Sequence, residues 1–181
     1  YVREPEVVAV GETGLDYFYD PESKHVQRES FAYHIELANE VDKPLIIHTR
    51  EAREDTLGLL REGRAERCGG VLHCFTESYE MARQAIDDLD FFISISGIAS
   101  FRNAEALRDV VKKLPLDKLL IETDSPWLAP VPHRGKQNQP AYVADVAKCV
   151  ADIKGVSLAE VAQTTTQNFF RLFKRVAPQS V

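Results

Sequence analysis

Nowhere in the 181 residues does an apolar run approach the roughly 20 positions a membrane-spanning helix requires, so no membrane partner is expected. No basic-then-apolar leader stands at the start, and nothing marks the chain for secretion. Cysteine is scarce. Cys68, Cys74 and Cys149 are odd in number and form no C-x-x-C pair, which speaks against a disulfide framework and for packed thiols in a reducing cytoplasm. Positive charge is also short: Lys and Arg number 22 against 28 Asp and Glu, a net charge of −6. That balance argues against a protein that coats nucleic acid by bulk electrostatics. Nucleic acid as an enzyme substrate stays open, because a metal centre supplies positive charge locally. Repeats, low-complexity tracts and linker compositions are missing, so residues 1–181 are expected to form a single domain, with Ala177–Val181 as a frayed tail. The chain opens at Tyr1 without a methionine and enters strand pattern almost at once, which suggests a segment upstream.

What is present is a set of four short apolar runs, each ending on a side chain able to hold a metal. They are Val7-Val8-Ala9-Val10-Gly11-Glu12, Pro44-Leu45-Ile46-Ile47-His48, Gly70-Val71-Leu72-His73 and Leu119-Leu120-Ile121-Glu122-Thr123-Asp124. Runs of aliphatic and β-branched residues this short read as buried parallel strands. In alternating αβ chains the C-terminal strand ends are where sites are built.

Helical patterns fill the intervals. Strand Val7–Val10 precedes a helical pattern over Glu22–Val41 with Phe31, Ile35 and Ala38 on one face, and Leu45–Ile47 precedes Arg50–Arg61. Val71–Cys74 leads to Ser78–Leu89, and Phe91–Ile95 leads to Asn103–Lys113. Leu119–Ile121 is followed by a Pro-rich loop over Ser125–Pro140 and helices near Tyr142–Ile153 and Leu158–Phe173. Five strands, each followed by a helix, give an α/β class with a parallel sheet. The pattern alone leaves a closed barrel and an open sheet as equal choices.

Glu12, His48, His73 and Asp124 lie 36, 25 and 51 residues apart, too widely for a zinc finger, so only a fold that gathers strand ends can unite them. Imidazole and carboxylate donors suit Zn²⁺, Mn²⁺ or Fe²⁺, and the carboxylates Mg²⁺. The alternative for each histidine is a hydrogen-bonded core residue. An acid at the end of a buried strand, in contrast, needs a partner. Asp16 is either a loop cap or a partner of a ligand, and Cys74, one residue past His73, should face away by strand alternation and pack. Glu122 shares a face with Asp124 by the same rule and reads as an internal ion-pair partner. His25 and His34 read as helix-surface residues. The loop Pro132-His133-Arg134-Gly135-Lys136-Gln137-Asn138 is basic in an acidic chain. Arg134 and Lys136 either hold a substrate phosphate or are simply solvated.

Six motifs occur in a recognisable order: Gly11-Glu12-Thr13-Gly14-Leu15-Asp16-Tyr17, Ile47-His48-Thr49-Arg50, His73-Cys74-Phe75, Ile95-Ser96-Gly97, Glu122-Thr123-Asp124-Ser125-Pro126 and Pro132-His133-Arg134-Gly135-Lys136. From about Val7 to Phe173 the chain resembles the TatD family of metal-dependent deoxyribonucleases, relatives of the amidohydrolases. The resemblance implies a TIM-like (β/α) barrel and a divalent metal centre (Mg, Zn or Mn, one or two ions per complete site). It implies a 3′–5′ exonuclease-like reaction, in which a metal-activated water cleaves phosphodiester bonds of DNA. It assigns Glu12, His48, His73 and Asp124 to the metal, with Glu12 shared between ions and Asp124 also handling the proton of the attacking water. Hydrolysis of another ester or amide, such as aminoacyl-ester deacylation, or a non-catalytic interaction module, are the competing functions.

One element of the family pattern is missing: no His-x-His occurs anywhere in the sequence. The expectation is an incomplete barrel of about five of eight strand–helix units. A separate N-terminal fragment or another subunit would complete it, and the chain alone would hold at most one ion with little nuclease activity.

Overall fold

The computed structural model describes residues 1–177; of the tail expected over Ala177–Val181, residues 178–181 lie outside the described residues. Within the chain, backbone contacts gather into two compact units. One comprises residues 1–73, 83–92 and the residues from 170 onward, the other residues 74–82 and 93–169.

The first unit carries strands β1 (Val10–Asp16), β2 (Leu45–Arg50) and β3 (Gly70–Leu72), with helices α1 (Lys24–Val41) and α2 (Arg53–Glu62) between them. β2 pairs in parallel with both β1 and β3. α1 forms because Phe31, Ile35, Ala38 and Val41 recur at helical spacing and are buried together on one face. It stops at Asp42, whose left-handed backbone (φ 51°) turns its N–H back onto the Ala38 carbonyl. Leu45 and Ile47 on β2 are fully buried, each contributing about 1.5–3 kcal/mol by leaving water. The same layer hides a cation: Lys43 is 1% exposed, and its Nζ donates to the carbonyls of Val2 and Glu4. Arg61 on α2 forks onto Asp88 (3.1 and 2.7 Å) and reaches Gln84 at 3.0 Å.

The expected strand Val7–Val10 is displaced along the chain. β1 begins at Val10 and runs through the polar Gly11–Asp16 segment, because its ladder with β2 continues from Val10 N–H on Pro44 O (2.9 Å) to Tyr17 N–H on Arg50 O (3.0 Å). Glu12 therefore lies inside a strand rather than at its end.

Helix α3 (Tyr79–Leu89) follows β3 in the chain. The second unit carries most of β4 (Phe92–Ile95), then α4 (Glu105–Lys113), β5 (Leu119–Ile121) and α5 (Val143–Lys154), and most of α6 (Leu158–Leu172). β4 and β5 are parallel, with Ile93 opposite Leu119 and Ile95 opposite Ile121. Val146, Ala147, Val150 and Ala151 form the buried stripe of α5. Lys154, in its last turn, donates to the carbonyls of Lys112 (3.0 Å) and Leu114 (2.5 Å), satisfying acceptors left open at the end of α4. Burial pushes the Lys154 ammonium below its usual range. All five strands are parallel in their pairings and alternate with helices, as the α/β reading requires. Among the described residues no helix is long and apolar enough to cross a membrane.

Candidate metal centre

The first unit brings three of the four expected ligands together. Glu12, His48 and His73 each present one donor atom, and these atoms all lie within 4.8 Å of one another. Three backbone features place them. Between Val10 and Thr13 on β1 the register slips, since Val10 faces Leu45 and Thr13 faces Ile47, so β1 carries one residue more than β2. Such a bulge re-aims a side chain locally, and Glu12 sits within it. Next, Gly14 lies opposite His48 at φ 132°, and a Cβ there would stand 1.9 Å from the His48 carbonyl oxygen. Only glycine allows β1 to run this close to the backbone of a candidate ligand. Finally, the His73 amide donates to Ile47 O at 2.9 Å, extending the β3 ladder by one residue and setting the His73 ring beside that of His48, 6.1 Å between centroids.

The donor geometry suits a cation. His73 Nε2 is 3.1 Å and His48 Nδ1 3.5 Å from the same carboxylate oxygen of Glu12. The other nitrogen of His48, Nε2, is 2.8 Å from Asp16 Oδ2. A ring that donates from Nε2 to a carboxylate keeps its Nδ1 lone pair for a metal, the usual arrangement around a ligating imidazole. Exposure grades across the trio, from 14% for the His73 side chain to 56% for that of Glu12, so one side of the site is open to solvent. The open side is a cleft of about 450 Å³ lined by Glu12, Asp16, Gln27, His34 and His48 among others.

Asp16 combines the two roles left open by the sequence. Its Oδ1 accepts from the amides of Phe18 (3.0 Å) and Tyr19 (2.9 Å), which is the loop cap, while Oδ2 holds His48. Desolvation pushes its carboxyl up, but the Tyr19 amide, His48 and the Phe18 amide together hold it below the ordinary carboxylate value. His34 also does more than cover a helix surface: its Nδ1 is 2.9 Å from Thr13 Oγ1 in the cleft wall. His25 is a surface residue beside Glu29, as its position on α1 suggests.

Asp124, the fourth expected ligand, belongs to the second unit. It follows β5 in left-handed backbone (φ 58°) and its carbonyl accepts from the Trp127 amide at 3.0 Å. Cys74 Sγ lies 3.9 Å from Asp124 Oδ2 and 3.2 Å from Ser96 Oγ. This corrects the reading of Cys74 as packing on the opposite face. β3 ends at Leu72 and Cys74 is left-handed (φ 44°), so strand alternation no longer governs where its thiol points. Glu122 accepts from Ser94 Oγ at 2.5 Å. Burial pushes the Cys68 thiol up to about 11 and raises that of Cys149 as well.

Asn138 escaped the sequence reading. It is 3% exposed, and its Nδ2 donates to Thr123 O (2.7 Å) and Trp127 O (2.6 Å), tying both flanks of Asp124 together. No local signal marks it, since it reads as one more polar residue of a polar loop. In that loop Arg134 donates to Ala129 O at 2.8 Å and lies 3.7 Å from the Phe101 ring, while Lys136 is exposed. His133 is 3.0 Å from Asp145 and stacks on Tyr142 at 3.6 Å.

Comparison with known proteins places this architecture. The family model described as TatD related DNase matches residues 1–174. The Escherichia coli K12 protein named uncharacterized metal-dependent hydrolase YcfH is 62% identical over 170 residues, covering 94% of this chain and 64% of YcfH. YabD of Bacillus subtilis, likewise named an uncharacterized metal-dependent hydrolase, is 48% identical over 169 residues, covering 93% of this chain and 66% of YabD. The chain thus spans about two thirds or less of the length of these relatives. The crystal structure of YJJV, a TatD homolog from Escherichia coli K12, superposes with a TM-score of 0.87 at 32% identity, covering 96% of this chain and 65% of YJJV. On these matches, and on a strand-borne donor set that suits a divalent cation, the chain belongs to the TatD family of hydrolases.

Proposed function

We propose that the protein is a metal-dependent phosphodiesterase acting on DNA, and that Glu12, His48 and His73 hold its cation. The observation that carries the reading is the convergence of two imidazoles and one carboxylate within 4.8 Å, with Asp16 orienting His48 from behind. Bound there, a divalent cation supplies Lewis acidity and positive charge where a phosphodiester gathers negative charge. The chain's residues do the rest. Glu12 fixes the position of the charge, and His48 and His73 add neutral donors that leave it undiminished. Asp124 is assigned the proton of the attacking water. Arg134 and Lys136 hold the substrate backbone, Arg134 from a guanidinium steadied on Phe101. In the family pattern a second ion takes a His-x-His pair, which residues 1–181 do not contain, so these residues are expected to hold at most one ion unless another segment or subunit supplies the pair. A cytoplasmic setting agrees with three free thiols.

The test is a calorimetric titration of the 181-residue chain with Zn²⁺ or Mn²⁺, repeated on Glu12→Gln and His73→Ala. One site that disappears in both variants is expected; binding that survives either substitution refutes the assignment. Substrate class is settled by comparing single-stranded DNA with an aminoacyl ester, each assayed on the wild type and on Asp124→Asn. Turnover of the ester alone would replace the nuclease reading with a deacylase.

A further inference from the structure

Next to the metal trio, at the ends of β1 and β2, the first unit exposes an unusual group. Phe18 is 50% and Tyr19 75% exposed, and their rings meet edge to face at 5.1 Å between centroids. Arg50, the last residue of β2, lies 3.8 Å from the Phe18 centroid and 4.8 Å from that of Tyr19. Among the described residues no carboxylate pairs with Arg50 and no acceptor takes its side-chain N–H groups, although acids outnumber bases in this chain. An unneutralised guanidinium steadied on two solvent-facing rings costs apolar exposure without contributing to a core.

The group is also tied to the site. The carboxylate of Asp16 that receives His48 on one oxygen receives the amides of Phe18 and Tyr19 on the other. Asp16 and Arg50 are themselves paired across β1 and β2. One side chain thus fixes both a candidate ligand and the backbone bearing the rings.

We propose that Phe18, Tyr19 and Arg50 form a nucleotide-recognition subsite, in which an unpaired base of single-stranded DNA stacks on an exposed ring and the Arg50 guanidinium takes the adjoining phosphate. The proposal deepens the phosphodiesterase reading and rests on it. The chemistry selects this occupant. A flat aromatic surface is served by a base, and a free guanidinium fork by a phosphate; a nucleotide offers both at adjacent positions. A base inside a duplex hides its faces in the stack, so the subsite selects single-stranded ends and frayed termini.

The experiment is a fluorescence titration of the 181-residue chain with an oligothymidylate carrying 2-aminopurine at its end, in EDTA so that no cleavage occurs. The expected result is quenching on binding, and an affinity about tenfold weaker with quenching lost in Phe18→Ala/Tyr19→Ala. Arg50→Ala is expected to lower the log–log salt slope by about 0.7, the contribution of one phosphate contact to a single strand. The aromatic-preserving Phe18→Tyr/Tyr19→Phe variant should bind like the wild type, which controls for misfolding. Unquenched binding, no binding, or equal affinity in the alanine variant overturns the subsite and shows the rings to be surface packing around Arg50. These outcomes leave the metal titration onto Glu12, His48 and His73 intact, whereas failure of the phosphodiesterase reading shows in the separate assays, as loss of that titration from the wild type or as turnover of the aminoacyl ester alone.

Discussion

The two units hold their chemistry by different means. In the first, Glu12, His48 and His73 ride on strands, and the backbone does the placing: a bulge, a close approach at Gly14 and one extra ladder bond at His73. In the second, Asp124 rides on a loop in left-handed backbone, and one side-chain amide, that of Asn138, holds the loop closed. A strand-held site resists change at its ligands and is vulnerable where strands touch. A loop-held residue is vulnerable at whichever side chain bridges the loop. Each arrangement suits its proposed duty, since ligands must stay in place while a proton acceptor benefits from some compliance.

The sharpest way to break the comparison is Gly14→Ala. A methyl 1.9 Å from the His48 carbonyl, on a backbone that only glycine adopts comfortably, is expected to cost on the order of 3 kcal/mol or more and to abolish metal binding. Urea denaturation and calorimetry would show both; a variant as stable as the wild type would mean that the strands are not in this register.

Asn138→Ala comes next. It leaves two carbonyls without their donor and should cost about 2 kcal/mol, with metal affinity at the trio unchanged. A parallel loss of metal affinity would show that Asn138 does more than brace the loop around Asp124. Asp16→Asn probes the strand-held side more gently. Asn Oδ1 still caps Phe18 and Tyr19, but the amide nitrogen that replaces Oδ2 cannot accept from His48 Nε2. The ring then carries its proton on Nδ1, and metal affinity is expected to fall by roughly 10–100-fold with stability little changed. Unaltered affinity would show that the His48 tautomer does not depend on Asp16.

The smallest effect concerns pH. Arg28 at 2.5 Å, and after it Tyr17, also at 2.5 Å, hold the Asp55 carboxyl below its usual range. Because the folded-state value is depressed, the stabilisation is present in full above the unfolded value near ~3.9 and is lost as pH falls through the folded value. The Asp55 side chain is 38% exposed, so solvent screening keeps the contribution below about 1 kcal/mol. Asp55→Asn should flatten the acid limb of the stability profile by that amount and leave the neutral region shifted uniformly. An unchanged acid limb would remove Asp55 from the account.

Periodicity made most of the fold readable, because burial obeys it: Phe31, Ile35 and Ala38 are buried on α1 as their spacing requires, and β5 spans the very residues Leu119–Ile121. The placement of β1 was hidden because Gly11-Glu12-Thr13-Gly14 has a loop's composition and becomes a strand only through β2, a long-range partner that no local window contains. The candidate ligands stood out as isolated acids and imidazoles at the ends of apolar runs, and three of them converge. Their orienting partners were not. That Asp16 binds His48 follows from the pairing register, and that Asn138 braces Asp124 follows from the path of a loop with no period. Cys74 misled for a related reason, since alternation was extended past the last residue to which it applies.

The bulge in β1 has an evolutionary corollary. Its surplus residue leaves the sheet's pairing undisturbed on either side, with Val10 and Thr13 each aligned to β2. A carboxylate housed there is a passenger of the fold rather than a member of it. Lineages can lose or exchange the acid at position 12, or delete a single residue there, and still inherit an intact sheet. Descendants that had lost this carboxylate would therefore keep the sheet, and would be told apart from chains that retain it by this one stretch of β1.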